Sequence, residues 1–110
     1  MKDAQTQFIQ GTLELLILRT LIYGPAHGHA IAGHIQSSSE TLRIETGSLY
    51  PALHRLEAQG LVRPEWRLSD KGKRAKFYQL TPAGRKHLTA EQSRWDQFVL
   101  AMSKVLLPSE

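Results

Sequence analysis

The chain has 110 residues, of which 41% are hydrophobic and 22% charged, and this composition is typical of one globular domain with a short appended element. It contains no cysteine, so disulfide bonds and thiolate metal sites are excluded. The formal net charge of +4 favours an anionic partner over a cationic one.

Nothing near the amino terminus suggests a targeting segment or a membrane span. The first ten residues, MKDAQTQFIQ, lack the apolar core of a signal peptide. The most apolar run, LELLILRTLIYG, is interrupted by Glu14 and Arg19 and is too short to cross a bilayer. These features predict a cytoplasmic protein without a membrane partner.

The first part of the chain predicts two helices and a short strand. Apolar residues recur at helical spacing in residues 11–23, and Gly24-Pro25 ends that helix because proline cannot continue its hydrogen-bond ladder. A shorter helix is predicted from about residue 27 to residue 36. The letters SSSE that follow indicate a loop, and the alternation of apolar and polar residues in LRIE (residues 42–45) predicts a strand.

The next stretch, ETGSLYPALHRLEAQGLV, predicts a third helix at about residues 47–59. Thr46 is expected to cap its amino end, and Gly60 supplies the left-handed residue that commonly ends a helix, with Leu61 folding back on the last turn. One stripe of this helix is apolar and should face the core: Leu49, Ala52, Leu53 and Leu56. The other face should be exposed, and it is not the Glu- and Lys-rich surface of an ordinary helix.

A β-hairpin follows the third helix. Apolar and polar residues alternate from Leu61 to Leu68, and a second extended run contains Phe77, Tyr78 and Leu80. Between them lies the basic, glycine-containing segment SDKGKRA, which predicts a charged tip. Pro64 places the first strand at an edge of the sheet, where a missing amide is harmless.

A long helix is predicted from Thr81-Pro82 to about Leu106, since threonine is a good cap and proline is favoured at the first helical position. Its apolar residues repeat with a heptad-like spacing, and a core built from three short helices is too small to bury them. The seam is therefore expected to pack against a partner chain. The predicted interface residues are Leu88, Trp95, Phe98, Val99, Met102 and Leu106.

Three helices followed by a basic two-stranded hairpin are typical of a winged helix-turn-helix. The predicted fold is mainly α with a small β-hairpin wing. Residues 1–80 form the predicted winged helix-turn-helix DNA-binding domain, and residues 81–110 form the carboxy-terminal dimerisation helix. In this arrangement the third helix enters the major groove and the wing reaches the neighbouring backbone.

The candidate DNA contacts come from the outward face of the third helix and from the wing. Small residues near the amino end of a helix let its backbone approach a phosphate, hydroxyl groups donate hydrogen bonds, and cations pair with phosphate or base edges. The predicted DNA-binding residues are Gly47, Ser48, Tyr50, Pro51, His54, Arg55, Lys73, Arg74 and Lys76. Proline at 51 is expected within the first turn or so, where its missing amide costs little.

Three motifs in this order resemble the PadR family of bacterial transcriptional regulators. They are GTLELLILRTLIYGPAHGHAI, TGSLYPALHRLEAQGLV and GKRAKFYQLTPAG, and together they cover about residues 11–90. The resemblance implies a winged-helix DNA-binding domain, a dimer built on the carboxy-terminal helix, and repression relieved by a small molecule. A single helix after the wing resembles the shorter subfamily. His29 stands where many members have tyrosine, so that tyrosine's phosphate contact is not carried over unless a protonated His29 replaces it.

The resemblance also points to an effector site on the last helix. Some relatives in this subfamily are multidrug sensors with a tryptophan in the corresponding region, which implies that Trp95 and its symmetry mate line a cavity for a planar aromatic ligand. Phe98 and Val99 would flank that candidate ligand site, and Asp96 and Glu91 could attract a cation. The alternative for Trp95 is a plain dimer-interface role.

Two other functions remain as alternatives. The first is a winged-helix module that binds a protein through the third helix, although the basic wing disfavours it. The second is a metal-responsive regulator that uses His27, His29 and His34, whose spacing lacks the i, i+4 pairing of helical metal sites. No enzyme constellation is present, and no cofactor or metal ion is predicted. The favoured prediction is a homodimeric repressor that binds an inverted-repeat operator in double-stranded DNA and responds to a small-molecule effector.

Overall fold

Eight elements make up the described chain, in a computed structural model that describes the backbone of residues 2–38 and 43–107 and the side chains of residues 11–38 and 43–107. The fold is mainly helical with a small antiparallel sheet, as predicted. In chain order the elements are α1 (Lys2–Thr20), a 3-10 turn (Leu21–Tyr23), β1 (Ala26–His27), α2 (Gly28–Ser38), α3 (Thr46–Ala58), β2 (Val62–Leu68), β3 (Arg74–Leu80) and α4 (Pro82–Leu106).

The first two helices form one side of the core. The predicted helix over residues 11–23 is confirmed, although it starts earlier and its last three residues tighten into the 3-10 turn. Gly24 ends it with a φ of 133°, a conformation that favours glycine. Four of its apolar side chains and two from α2 are buried: Leu13, Ile17, Leu18, Leu21, Ile31 and Ile35.

The strand predicted over residues 42–45 is wrong where the structure describes it, because residues 43–45 are irregular. Its alternation instead reflects a connector whose Ile44 packs against the core and whose Ile44 carbonyl accepts a hydrogen bond from Gln36. The first two serines of the predicted SSSE loop are the last residues of α2. Residues 39–42 lie outside the described part of the chain.

Helix α3 confirms the predicted third helix except at its cap. Its apolar stripe is almost fully buried, with Leu49 at 3% exposure and Leu53 at 0%. Thr46 is not the cap. Glu45 occupies the cap position, and its backbone carbonyl accepts hydrogen bonds from the amides of Ser48 and Leu49. At the other end Gly60 has the predicted left-handed φ, and the Leu61 amide donates to the Leu56 carbonyl.

The sheet has the strand order β1-β3-β2, so the predicted hairpin is confirmed and a third strand joins it. In the hairpin Val62 pairs with Leu80 and Leu68 pairs with Arg74. Pro64 lies on the edge strand β2, as its missing amide requires. β1 has only two residues, which is too short for an alternating pattern to show in the sequence.

The start of α4 is held against the hairpin by its cap. The Thr81 hydroxyl accepts a hydrogen bond from the Gly84 amide at 2.9 Å, as predicted for a capping threonine. The Thr81 amide also donates to the Leu61 carbonyl. Gly84 is buried there, and Leu88 one turn later is 3% exposed. Beyond Leu88 most residues of α4 are exposed in the single chain.

Gly84 allows this close contact because it has no side chain. A Cβ atom at this position would lie 2.0 Å from the Leu61 carbonyl oxygen and 2.9 Å from Leu80 Cδ1. The first contact is with backbone, which cannot rotate away. Gly84→Ala should therefore push α4 off the hairpin and lower the free energy of unfolding by about 2 kcal/mol, measured by urea denaturation at fixed protein concentration.

Gly33→Ala is the matched control, because Gly33 lies in α2 with nothing within 4 Å of an added Cβ. Alanine is the better helix former, so this variant should be as stable as the parent or more stable by up to about 1 kcal/mol. Equal stability of the Gly84 and Gly33 variants would show that α4 is not seated by this contact.

Candidate nucleic-acid interface

The outward face of α3 carries the unusual residues that the sequence singled out. Gly47, Pro51 and His54 are exposed, and Tyr50 retains 46% of its surface. Ser48 is half-buried on the flank of this face. Pro51 is the sixth helical residue, beyond the first turn, so it removes the amide that would donate to the Gly47 carbonyl.

Arg55 does not share this face. It lies at the flank, one turn after Pro51, and its half-buried side chain reaches toward Glu14 of α1. Its Nε donates a hydrogen bond to Glu14 Oε1 at 2.8 Å, in a partly buried ion pair. The DNA contact predicted for Arg55 thus competes with an ion pair, which sequence periodicity missed because the carboxylate lies 41 residues away.

Tyr50 lies over the start of α2, and a glycine makes room for it. A Cβ on Gly28 would come within 2.7 Å of Tyr50 Cε1 and 2.8 Å of its hydroxyl oxygen. The glycine therefore sets where the Tyr50 ring rests. Gly28 is not among the residues predicted for the site, although it stands between two histidines at the start of a helix.

The wing tip is a tight turn that projects cations. The Gly72 amide donates to the Ser69 carbonyl, and the Ser69 amide donates to the Lys73 carbonyl at 2.7 Å. Gly72 has a φ of 75°, which explains the glycine. Lys73 and Arg74 are exposed, as predicted, and the Arg74 guanidinium lies 5.2 Å from the centre of the Trp66 ring.

Lys76 ties the wing to α3 and is less available than predicted. Its Nζ lies 3.1 Å from Glu57 Oε1 in an ion pair, and the interaction with Glu57 is the main cause that raises the pKa of Lys76. The same ammonium lies 5.5 Å from the Tyr78 ring centre. Burial raises the pKa of Tyr78, so its hydroxyl stays protonated.

A cleft of about 620 Å³ lies between the start of α2, Tyr50 of α3 and the wing; we call it the wing cleft. Four cationic side chains and one carboxylate line it, so its rim is strongly positive. Its lining includes Gly28, His29, Tyr50, Trp66, Asp70, Lys71, Lys73, Arg74 and Lys76. The cleft thus brings together the predicted wing cations, Tyr50 and His29.

The predicted effector residues lie at a second cleft of about 550 Å³, between α1, the end of α3 and α4; we call it the α1–α4 cleft. Trp95 and Phe98 line it with ring centres 5.9 Å apart. Val99 is exposed and does not line it. Glu14 and Glu91 contribute carboxylates, and Arg94 donates a hydrogen bond to Glu91.

Of the predicted interface residues, Leu88 is placed elsewhere. It belongs to the subunit's own core, so it is not available to a partner chain. Phe98, Val99, Met102 and Leu106 are exposed, between 43% and 70%. Trp95 is half-buried at the α1–α4 cleft.

The histidines have local structural roles. His27 Nδ1 accepts a hydrogen bond from the Ala30 amide at 3.1 Å and so caps α2, while its ring stacks near His29. His34 packs against Tyr23. Among the described residues, no three His, Asp or Glu side chains converge as metal ligands would. Over the same residues, no helix combines the length and apolarity that crossing a bilayer requires.

Comparisons with known proteins agree with the fold and the motifs. The sequence profile of the transcriptional regulator PadR-like family matches residues 17–90. The transcriptional regulator Rv3488 of Mycobacterium tuberculosis is 37% identical over 86 residues, which are 78% of this chain and 78% of that protein. A transcriptional regulator from Clostridium thermocellum superimposes with a TM-score of 0.82 at 27% identity, over 92% of this chain and 99% of the other.

A third relative is much longer than this chain. An uncharacterized 37.1 kDa protein in transposon TN4556 of Streptomyces fradiae is 49% identical over 78 residues, which are 71% of this chain and 21% of that protein. The chain thus spans about a fifth of that relative's length. Because the family profile covers more than half of the chain and Rv3488 matches most of it at 37% identity, the chain belongs to the PadR-like family of transcriptional regulators.

Proposed function

We propose that this PadR-family transcriptional regulator is a sequence-specific DNA-binding protein that acts as a homodimeric repressor. The observation that carries the proposal is the wing cleft, where Tyr50 of α3 and four cations of the wing border one positively charged cavity. A duplex laid there would place α3 in the major groove and the wing on the adjacent backbone.

Within this arrangement the contacts divide by chemistry. Lys73 and Arg74 would bind phosphates and position the protein without reading sequence. Tyr50 would donate its hydroxyl to the backbone, and His29, at the start of α2 on the same cleft, would take the phosphate contact when protonated. Gly47, Ser48, Pro51 and His54 would approach the groove. Arg55 and Lys76 act differently, as supports that hold α3 through Glu14 and Glu57.

The dimer is proposed from the exposed seam of α4. Val99, Met102, Val105 and Leu106 leave 43–83% of their surfaces exposed on one long helix. Large apolar side chains along such a helix are typical of an interface with a second copy. Two copies related by a twofold axis would present their α3 helices about 34 Å apart, so the operator should be an inverted repeat.

The effector is proposed to bind in the α1–α4 cleft. The Trp95 and Phe98 rings offer faces to a planar aromatic ligand, and a cationic ligand would pair with Glu14 or Glu91 by displacing Arg55 or Arg94. The cleft also touches the reading helix, because Gln59 follows α3 directly and Glu14 holds Arg55. A ligand there would change both the position of α4 and the contacts that hold α3. The distance between the two α3 helices of the dimer would then change, and the protein would release DNA.

The decisive experiment is selection of bound sequences from random duplexes with the purified protein. A repressor of this kind should enrich an inverted repeat whose half-sites lie one helical turn apart, and its affinity should fall steeply with salt as phosphate contacts release counterions. No enrichment, together with no salt-dependent binding, would refute the proposed function and leave the protein-binding module as the alternative.

The exposed cations of the wing predict how strongly DNA binding depends on salt. Replacing Lys73 and Arg74 with alanine should weaken binding to every duplex and reduce the slope of log K against log salt by about 1.8, since each lost phosphate contact removes about 0.9. The measurement is fluorescence anisotropy over a salt series. The control replaces Arg85 and Lys86, an exposed pair outside the wing cleft, and should retain the parental slope.

The contact between Tyr50 and Gly28 predicts that a change at either residue weakens DNA binding. Gly28→Ala should displace the end of the Tyr50 side chain and, like Tyr50→Phe, reduce DNA affinity by about tenfold, the equivalent of one hydrogen bond to a phosphate. The two changes should not add when combined, because both remove the same contact. Gly33→Ala is again the control. Parental affinity of Gly28→Ala would show that this position of Tyr50 is not used on DNA.

The apolar seam of α4 predicts which side chains hold the dimer together. Trp95→Ala should weaken self-association by at least about tenfold, since large aromatic side chains dominate interface energetics. Sedimentation equilibrium measures the change. Leu100→Ala removes an apolar side chain that is 58% exposed but lies off the heptad seam, and it should dimerise normally. If both variants dimerise like the parent, the proposed interface is wrong.

A further inference from the structure

The wing exposes large apolar side chains, and phosphate binding by its cations does not require them. Trp66 is 56% exposed and Leu68 is 69% exposed. In the hairpin Trp66 pairs with Lys76, and Leu68 pairs with Arg74. Since paired and alternate residues share one face of a sheet, these four residues lie on the same face as the buried Tyr78. The core-facing side of the sheet therefore continues past the helices as an exposed apolar surface.

A single exposed apolar residue needs no special explanation, and Trp66 already has one neighbour, the Arg74 guanidinium. Its location sets it apart. The indole lines the wing cleft together with Tyr50 and Tyr78, so aromatic side chains from α3 and from the wing face the same cavity. An indole offers a broad apolar face and one N–H donor, a combination that suits a surface with apolar and polar groups in alternation.

We propose that Trp66 is a DNA-contact residue, whose indole packs on a deoxyribose of the strand in the wing cleft while Arg74, held over the ring, pairs with the adjoining phosphate. This inference rests on the proposed DNA-binding function and adds an uncharged contact to it. Cations alone would hold phosphates equally well at any sequence and orientation. An apolar contact beside them fixes where along the backbone the wing sits.

The positive charge of the cleft and the contact between an apolar ring and a cation favour a nucleic-acid backbone as the partner of this surface. The cleft is lined by Lys71, Lys73, Arg74 and Lys76 against the single carboxylate of Asp70. A DNA strand alternates apolar sugars with anionic phosphates, and the wing alternates an apolar ring with a guanidinium stacked on it. An apolar protein partner would match Trp66 and Leu68 but not the surrounding cations.

The test compares Trp66→Ala, Trp66→Phe and Arg74→Ala on a duplex selected by the parent protein, over a salt series. Trp66→Ala should lose about fivefold to tenfold in affinity with the salt slope unchanged, because no phosphate contact is lost. Trp66→Phe should recover most of the affinity. Arg74→Ala should flatten the slope by about 0.9, and Trp66→Ala should still weaken binding when Arg74 is already alanine.

The control is another exposed aromatic beneath a guanidinium. Tyr23 is 71% exposed, lies 5.4 Å from the Arg19 guanidinium and does not line the wing cleft, so Tyr23→Ala should bind DNA like the parent. Tryptophan fluorescence gives an independent readout. Duplex DNA should protect the parent from acrylamide quenching, and this protection should disappear in Trp66→Phe, which retains Trp95.

Each outcome decides the matter. Parental affinity of Trp66→Ala would overturn the inference, and so would a loss that flattens the salt slope and vanishes in the Arg74→Ala background, since the ring would then only support Arg74. Either result leaves the proposed function intact if the parent still selects an inverted repeat. A parent protein that selects no duplex would remove the proposed function and this inference together.

Discussion

The apolar stripe of α3 is the constraint on which the candidate interface depends. Leu49, Leu53 and Leu56 are at most 3% exposed and share one side of the helix. Burying a leucine contributes about 2 kcal/mol, so turning this helix about its axis would forfeit several such contributions at once. The rotation of α3 is thereby fixed, and the glycine, tyrosine, proline and histidine of its other side face outward because the leucines face inward.

The position of α3 along the surface depends on a backbone junction at its end. There the Leu61 carbonyl accepts a hydrogen bond from Thr81, and the Thr81 hydroxyl lies 2.7 Å from the Gly60 carbonyl oxygen. Gly84 packs directly against the same Leu61 carbonyl. The end of α3, both ends of the hairpin and the start of α4 therefore meet within a few residues. Ion pairs from Lys76 to Glu57 and from Arg55 to Glu14 extend this support to the wing and to α1.

Local signals in the sequence predicted most of the fold. Helical periodicity located the buried stripes, Gly60 marked the end of α3, and Thr81-Pro82 marked the start of α4, because each depends only on neighbouring residues. Two features that the sequence missed depend on contacts between distant parts of the chain. β1 is a strand because β3 lies beside it, and the Arg55 side chain is drawn toward α1 by its ion pair with Glu14.

For the candidate site the sequence identified the exposed face of α3 and the wing cations but not how they are arranged. Leu88 fits the heptad pattern equally well as an interface or a core residue, and only the packing of α4 on the hairpin assigns it to the core. The sequence did not identify Gly28 or Trp66 as site residues. The role of a small residue or an exposed aromatic depends on which side chains lie opposite it, and only the wing cleft shows them. Because α4 runs for 25 residues from Pro82, beside the junction at Gly84, it acts as a lever arm: it is about 37 Å long, so a tilt of about 5° at its base displaces its tip by about 3 Å. Motions too small to disturb the core can thus be amplified into a shift that a rigid double helix would register.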